Sequence, residues 1–420
     1  MKTSHLLSLL LPFSLSFASA EEKPGSWPID RLKSEVPAFR IVDDSLPIHS
    51  LIYKAEPISG EATEVFAFYA SPKTLGLAKE GEQFPGIVLI HGGGGTAFSD
   101  WVWMWAQRGY AAIAMDLSGR RPPAPTFNTE GNKVGDHGHK KELRTRLEKG
   151  GLEHGNEEKF GSIGGTISDD WPYHTVCNVI KAHTLLRSFP EVDPEQTAVT
   201  GISWGGYSTC LVASLDDRFK AAVPVYGCGF LHEGESVQKP SIDALNDRRA
   251  AWVAAYDPSS HLGKCTVPTL WVNGTNDVHY VLDSYVKSYS LVKGPKTFRI
   301  EPGMRHGHGS GWDPKEIGIY VDSKLKNGAP LPTLSQLKTT GGSVSMTFSP
   351  EAPVVSAKLH FTSETGLRSK RKWASIPATI SGNKIVAKGL PDNANTWLIT
   401  ATDERGLMVT SEIGFTASEQ

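Results

Sequence analysis

A mostly parallel α/β sheet flanked by helices, followed by a separate all-β module, is the architecture this sequence predicts. Short continuous apolar runs alternate with longer amphipathic stretches from about residue 84 to 325. Near Gly328 that alternation stops and short strand-like runs take over. Strand and helix in alternation need crossover connections, and these place helices on both faces of a parallel sheet. The length sets the scale: 420 residues exceed one small core, so two packed units are expected.

The chain opens with an export signal. Lys2 supplies a positive start, residues 6–17 are apolar, and Ala18-Ser19-Ala20 is a small-residue cleavage site before Glu21-Glu22. Residues 1–20 are therefore expected to be removed, leaving a secreted or periplasmic chain. The run is too short for a membrane span, and no other segment approaches that length. Residues 21–47 read as a polar lead-in. Residues 48–57 and 62–72 read as two strands joined at Ser59-Gly60. The runs at 86–90, 111–117, 197–202, 221–226, 269–273 and 296–300 are apolar enough to be strands buried on both faces. Helices are expected at 101–108, 169–188, 207–215, 281–292 and 314–325, which makes 48–327 one unit. Residues 120–167 interrupt it with Gly and charge. So long a segment, leaving the sheet at its ligand-binding edge, reads as a cap. Residues 230–262 read as partly helical. Ala329-Pro330-Leu331-Pro332 is a linker signal, and 333–420 reads as a small sandwich with strands near 343–348, 354–361, 371–376, 384–388, 396–400 and 407–413.

A formal charge of -2 excludes electrostatic attraction to nucleic acid or to an anionic membrane surface. Cys177, Cys210, Cys228 and Cys265 stand in core-like runs without paired spacing, so free thiols and disulfides both remain open. Trp171 and Tyr173 could stack on a sugar ring, the competing reading being a place in the core at a helix start.

The chemistry concentrates in four motifs. Gly201-Ile202-Ser203-Trp204-Gly205-Gly206 follows a strand and precedes a helix. A strand-to-helix turn that sharp strains the Ser, exposes its hydroxyl and leaves no room for flanking side chains. A Ser nucleophile needs a base, and the base an orienting carboxylate. Asp277 lies in the loop after the 269–273 run, where such an acid belongs; an Asx-type turn is its bland alternative, and Asp283 falls inside the next helix. His306 and His308 both follow the last strand, and His306 comes first. After the 86–90 run, His91-Gly92-Gly93-Gly94-Gly95 supplies backbone N–H groups for an oxyanion, with Gly93 and Trp204 the best pair of donors. The loop lacks the ending of a phosphate-binding loop. Neither His306/His308 nor His137/His139 has a third ligand at a telling spacing, so no metal is expected, and no cofactor is required.

These motifs, with residues 108–116 and Asp170-Trp171-Pro172-Tyr173-His174, resemble the α/β-hydrolase superfamily over roughly residues 48–327. The finer resemblance is to its exported acetylxylan-esterase-like and dienelactone-hydrolase-like branch. It implies a carboxylic ester hydrolase working through Ser203, His306 and Asp277, on a small ester or an acetylated polysaccharide. The 120–167 insertion and the β module depart from the minimal fold. A prolyl-oligopeptidase-type serine peptidase shares the Gly-x-Ser-x-Gly-Gly turn, though about 60 residues before the core are too few for a propeller. A binding protein on a hydrolase scaffold is the third reading, and such proteins usually lose a triad member.

Overall fold

The computed structural model describes residues 24–135, 140–417 and 419. The export signal at 1–20 and the His137/His139 pair lie outside the described residues.

The lead-in holds two elements. Ile29–Ser34 (α1) buries Leu32, and Phe39–Asp43 (β1) forms one edge of the main sheet. His49–Lys54 (β2) and Glu64–Ala70 (β3) follow, pairing antiparallel. Phe84–Ile90 (β4), Ser99–Gln107 (α2) and Ala111–Met115 (β5) then open the parallel region.

The 120–167 insertion carries only short elements. Arg120–Arg121 (β6) pairs with Thr145–Arg146 (β9), and Thr126–Phe127 (β7) with Lys133–Val134 (β8). A single π-helical turn, Glu157–Gly161, comes before the long helix Trp171–Arg187 (α3). The chain returns through Val192–Ile202 (β10), Trp204–Leu215 (α4) and Ala221–Val225 (β11). Lys239–Asp243 (α5) and Arg249–Tyr256 (α6) make up the partly helical stretch. Thr269–Gly274 (β12), Leu282–Leu291 (α7), Lys296–Glu301 (β13), His308–Trp312 (α8) and Lys315–Leu325 (α9) complete the unit.

The strand order is β1-β2-β3-β5-β4-β10-β11-β12-β13, parallel from β5 onward. Every residue of β5, β11 and β12 is buried, as continuous apolar runs demand of strands covered on both sides. From β4 the chain first moves outward to β5 and then crosses back to β10. Right-handed crossovers in opposite directions set α2 and α3 on opposite faces. They also leave a crevice at the C-terminal ends of β4 and β10, where the winding reverses.

The β module is less separate than its sequence suggests. Lys338–Thr340 (β14), Ser343–Thr347 (β15), Thr379–Ser381 (β18) and Lys384–Lys388 (β19) form one sheet in the order β14-β15-β19-β18. Val354–Thr362 (β16), Ala374–Pro377 (β17), Thr396–Asp403 (β20), Met408–Thr410 (β21) and Gly414–Phe415 (β22) form the other. This second sheet continues the main one, because β21 pairs antiparallel with β13 at Phe298 and Thr410. Among the described residues, no helix is long and apolar enough to cross a membrane. All four Cys are buried free thiols, which closes the question the spacing left open.

Candidate active site

Ser203 occupies the turn between β10 and α4 with φ 60° and ψ -116°. That region costs a non-glycine residue about 1–3 kcal/mol. Its N–H donates to the Val225 carbonyl at 2.8 Å. The turn closes only because its neighbours lack side chains: a Cβ on Gly205 would run into the Ile90 carbonyl, and one on Gly201 into the Gly205 carbonyl. Ser203 therefore stands at the sheet edge above the first turn of α4, whose free N–H groups favour negative charge.

His306 and Asp277 reach this hydroxyl from the loops after β13 and β12. Ser203 Oγ lies 2.9 Å from His306 Nε2, and His306 Nδ1 lies 2.6 Å from Asp277 Oδ2. With the proton on Nδ1, Ser203 donates to the imidazole and the imidazole donates to the carboxylate. Asp277 Oδ1 accepts the His279 and Tyr280 N–H groups, each at 2.8 Å, so this residue both closes an Asx-type turn and orients the histidine. Its side chain is fully buried. The turn is held from behind as well, since Asn276 Nδ2 donates to the Ser369 and Arg371 carbonyls of the β module at 3.1 and 2.8 Å.

The His306 ring lies between Tyr226 and His279, with 4.5 Å between ring centroids on each side. Tyr226 donates its hydroxyl proton to the Arg305 carbonyl at 2.6 Å, fixing the loop next to the base. Burial, then the neighbouring His306, holds His279 below its ordinary value. It therefore stays neutral near pH 7 and adds no charge beside the His306 ring.

His308 does other work. It begins α8, accepts the Gly92 N–H on Nε2 at 3.0 Å, and rests its ring on Phe98. Of the two histidines, His306 alone meets Ser203 and Asp277, and His308 braces the Gly-rich loop. That loop comes very close to Ser203: a Cβ on Gly92 would stand 2.6 Å from the Ile202 carbonyl and 3.0 Å from Ser203 Cβ. Neither the Gly93 nor the Trp204 N–H has an acceptor among the described residues. His91 anchors the loop from below, donating from Nδ1 to the Gly92 carbonyl at 2.8 Å and accepting the Leu117 N–H on Nε2 at 2.9 Å. Burial lowers its pKa, in keeping with a neutral ring.

The insertion wraps the same loop. Arg144 donates to the Gly94 and Gly95 carbonyls at 2.9 and 2.6 Å. His154 stands against Gly93 and Trp204, and Lys159 places Nζ 4.7 Å from the Trp204 ring centroid. Trp171 is 2% exposed and donates Nε1–H to the Leu117 carbonyl at 2.8 Å. It packs under Trp204 and has no open face for a sugar, so the core reading replaces the stacking one. Tyr226, His279, His154 and Lys159 escaped the sequence analysis because each reaches the site only through tertiary packing. The position of Tyr226, one residue past β11, was the one available signal. Among the described residues, no group of three His, Cys, Asp or Glu is placed to hold a metal ion.

Comparison with known proteins finds two families and, among others, two solved structures that this chain resembles. The acetyl xylan esterase family pattern matches residues 52–237, and the prolyl oligopeptidase family pattern matches residues 155–321. An acetyl xylan esterase from Paenibacillus sp. R4 superposes with a TM-score of 0.54 at 17% identity, over 71% of this chain and 92% of that one. Acetyl xylan esterase 1 from Thermoanaerobacterium sp. JW/SL YS485 gives 0.51 at 14% identity, over 71% and 90%. The chain has the α/β-hydrolase fold. Among proteins of that fold, it is similar to the acetyl xylan esterases. The esterase match ends before Asp277 and His306, whereas the peptidase match contains Ser203, Asp277 and His306 together.

Proposed function

We propose that this α/β-hydrolase is an exported serine ester hydrolase, and that its substrates are small acyl esters, foremost acetyl groups on a polysaccharide. The observation that carries the proposal is the unbroken hydrogen-bonded line from Ser203 through His306 to the buried Asp277. Ser203 Oγ attacks the ester carbonyl while His306 Nε2 takes its proton. Asp277 holds the ring and stabilises the imidazolium. The Gly93 and Trp204 N–H groups receive the developing oxyanion, each worth about 3 kcal/mol in the transition state. His306 then protonates the leaving alcohol, and water, activated by the same histidine, cleaves the acyl-enzyme. Each step uses side chains, backbone and water alone.

The preference for acetylated carbohydrate is supported by the acetyl xylan esterase match and by the names of the two superposed enzymes. In this reading residues 48–327 are the catalytic unit, 120–167 its cap, and 333–420 an accessory β module. Residues 1–20 direct export. The second reading, a serine peptidase, is favoured by the prolyl oligopeptidase match across Ser203, Asp277 and His306.

Hydrolysis of p-nitrophenyl acetate beside a Pro-Xaa peptide, with the wild type and Ser203→Ala, separates the two. Ester turnover lost in the variant without peptide cleavage is the expected result. Ser203-dependent peptide cleavage without ester turnover overturns it.

A further inference from the structure

The insertion presents two side chains, Lys159 and His154, to the proposed oxyanion donors, and Lys159 Nζ and His154 Nε2 make no hydrogen bond among the described residues. Lys159 is 9% exposed, and among the described residues its Nζ has neither a carboxylate within salt-bridge distance nor a hydrogen-bond acceptor. It lies over the indole of Trp204, 4.7 Å from the ring centroid, and Trp204 follows the nucleophile. His154 Nε2 is buried without a hydrogen bond, and the same ring would stand 3.2 Å from a Cβ on Gly93. The backbone carrying Lys159 is fixed, because Trp252 Nε1–H donates to its carbonyl at 2.7 Å. It belongs to the π-helical turn Glu157–Gly161, a distortion that is frequent at functional sites.

An ammonium withdrawn from water is costly unless an anion meets it. The indole face supplies part of that compensation but offers no hydrogen-bond acceptor. Burial pushes Lys159 down to about 8, so it remains mostly charged at neutral pH. The charged and titratable groups facing it are Glu158, its chain neighbour, and His154, whose ring burial and Lys159 together keep neutral. His154 also lines a recess of about 390 Å³ that has Arg120, Lys141 and Arg144 on its walls, with Glu153 as the one carboxylate among its lining residues.

We propose that Lys159, with His154 beside it, forms an anion subsite next to the oxyanion loop, and that it selects esters whose acyl or alcohol part carries a carboxylate, as in an acidic, uronate-bearing polysaccharide. The proposal rests on the ester-hydrolase reading of the same site and adds the charge of the substrate. Lys159 donates to the carboxylate and the neutral His154 ring shapes its seat. The anion supplies the partner that the Lys159 ammonium lacks.

Matched ester pairs test it. On the acyl side the pair is 4-nitrophenyl hydrogen adipate and 4-nitrophenyl methyl adipate. On the alcohol side it is 4-acetoxybenzoate and its methyl ester. The readout is the anionic-to-neutral ratio of kcat/KM within each protein. In the wild type one pair is expected to favour the anion about tenfold or more, and the favoured pair shows which part of the substrate reaches Lys159. Lys159→Met abolishes the preference and Lys159→Arg keeps it. In the wild type the preference also declines as pH rises through about 8, where the ammonium loses its proton, a readout that does not depend on Lys159→Met folding. Equal ratios for both pairs in the wild type, or a preference that survives in Lys159→Met, overturn the subsite. If no ester is turned over and the catalytic reading fails, thermal stabilisation of Ser203→Ala by D-glucuronate over D-glucose at matched ionic strength tests the subsite alone. Equal stabilisation by the two sugars rejects it.

Discussion

Replacing His308 separates a brace from a base. His308→Ala deletes the acceptor of the Gly92 N–H, on a residue packed so closely that an added Cβ would meet the Ile202 carbonyl and Ser203 Cβ. A buried N–H without a partner costs about 1–3 kcal/mol. The loop relieves that cost only by shifting, and Gly93, the next residue, shifts with it. A full oxyanion donor is worth about 3–4 kcal/mol, which sets the upper bound. The expected loss is thus about 1–3 kcal/mol in transition-state binding, or roughly 5- to 160-fold in kcat, with little change in KM. His306→Ala removes the base itself and costs about 10⁴-fold or more. Gln places an acceptor where Nε2 stood, so His308→Gln should recover most of the activity. The assay is steady-state hydrolysis of p-nitrophenyl acetate, with thermal unfolding measured beside it. Equal losses in His308→Ala and His306→Ala would falsify the division of labour, and unchanged kcat in His308→Ala would show that the Gly92 bond does not set the loop.

Three further outcomes follow from the same packing. In Asp277→Asn the side-chain oxygen must still accept the His279 and Tyr280 N–H groups, which turns the amide NH₂ toward His306 Nδ1 and forces the wrong tautomer; kcat should fall about 10⁴-fold while the melting temperature changes little. Gly205→Ala drives a methyl into the Ile90 carbonyl, so soluble expression should collapse or stability drop by about 4 kcal/mol or more, and an unaltered melting temperature would contradict the packing of the turn. His183 is wholly buried between Asp216 and Thr197, with 2.8 Å hydrogen bonds to each, and burial pushes it from 6.5 down to about 4. Unfolded chains take up this proton below pH 6.5 and the folded one only near 4, so its contribution is full above 6.5 and is lost as pH falls. The stability difference between wild type and His183→Asn should shrink by about 1.4 kcal/mol per pH unit across that window, about 3 kcal/mol in all, as read by denaturant unfolding; a constant difference would mean that His183 is protonated in the fold.

Much of this was legible because the strongest sequence signals are local. The continuous apolar runs at 86–90, 221–226 and 269–273 could only be strands covered on both faces, and β4, β11 and β12 fall there. Ser203 was legible because two glycines, a strand and a helix bracket it. His306 and His308 could not be told apart by position: they share one loop, and the start of α8 at His308 turns the second ring toward Gly92. Residues 39–43 read as lead-in because Phe39, Ile41 and Val42 remain exposed, and an edge strand open to water carries no buried-face signature. Trp171 stayed open between core and sugar stacking because an aromatic near a motif does not report which way its ring is covered. Lys159 gave no signal at all, since nothing in a single lysine between Glu158 and Phe160 announces that an indole from residue 204 lies beneath it.

The bonds from Asn276 to Ser369 and Arg371 change what counts as the enzyme. Many polymer-degrading proteins are beads on a string, with an accessory unit swinging on its tether and interchangeable between partners. Here the stretch at 329–332 connects two parts already joined at several other places, among them the strand pairing at Phe298 and Thr410 and the turn that carries Asp277. A chain cut at residue 328 would keep Ser203, His306 and Asp277 in its sequence and lose the rear anchor of the aspartate. Grafting the last ninety or so residues onto another hydrolase would move a buttress away from the wall it was shaped to support. The smallest portable unit is therefore the catalytic unit and the β module together.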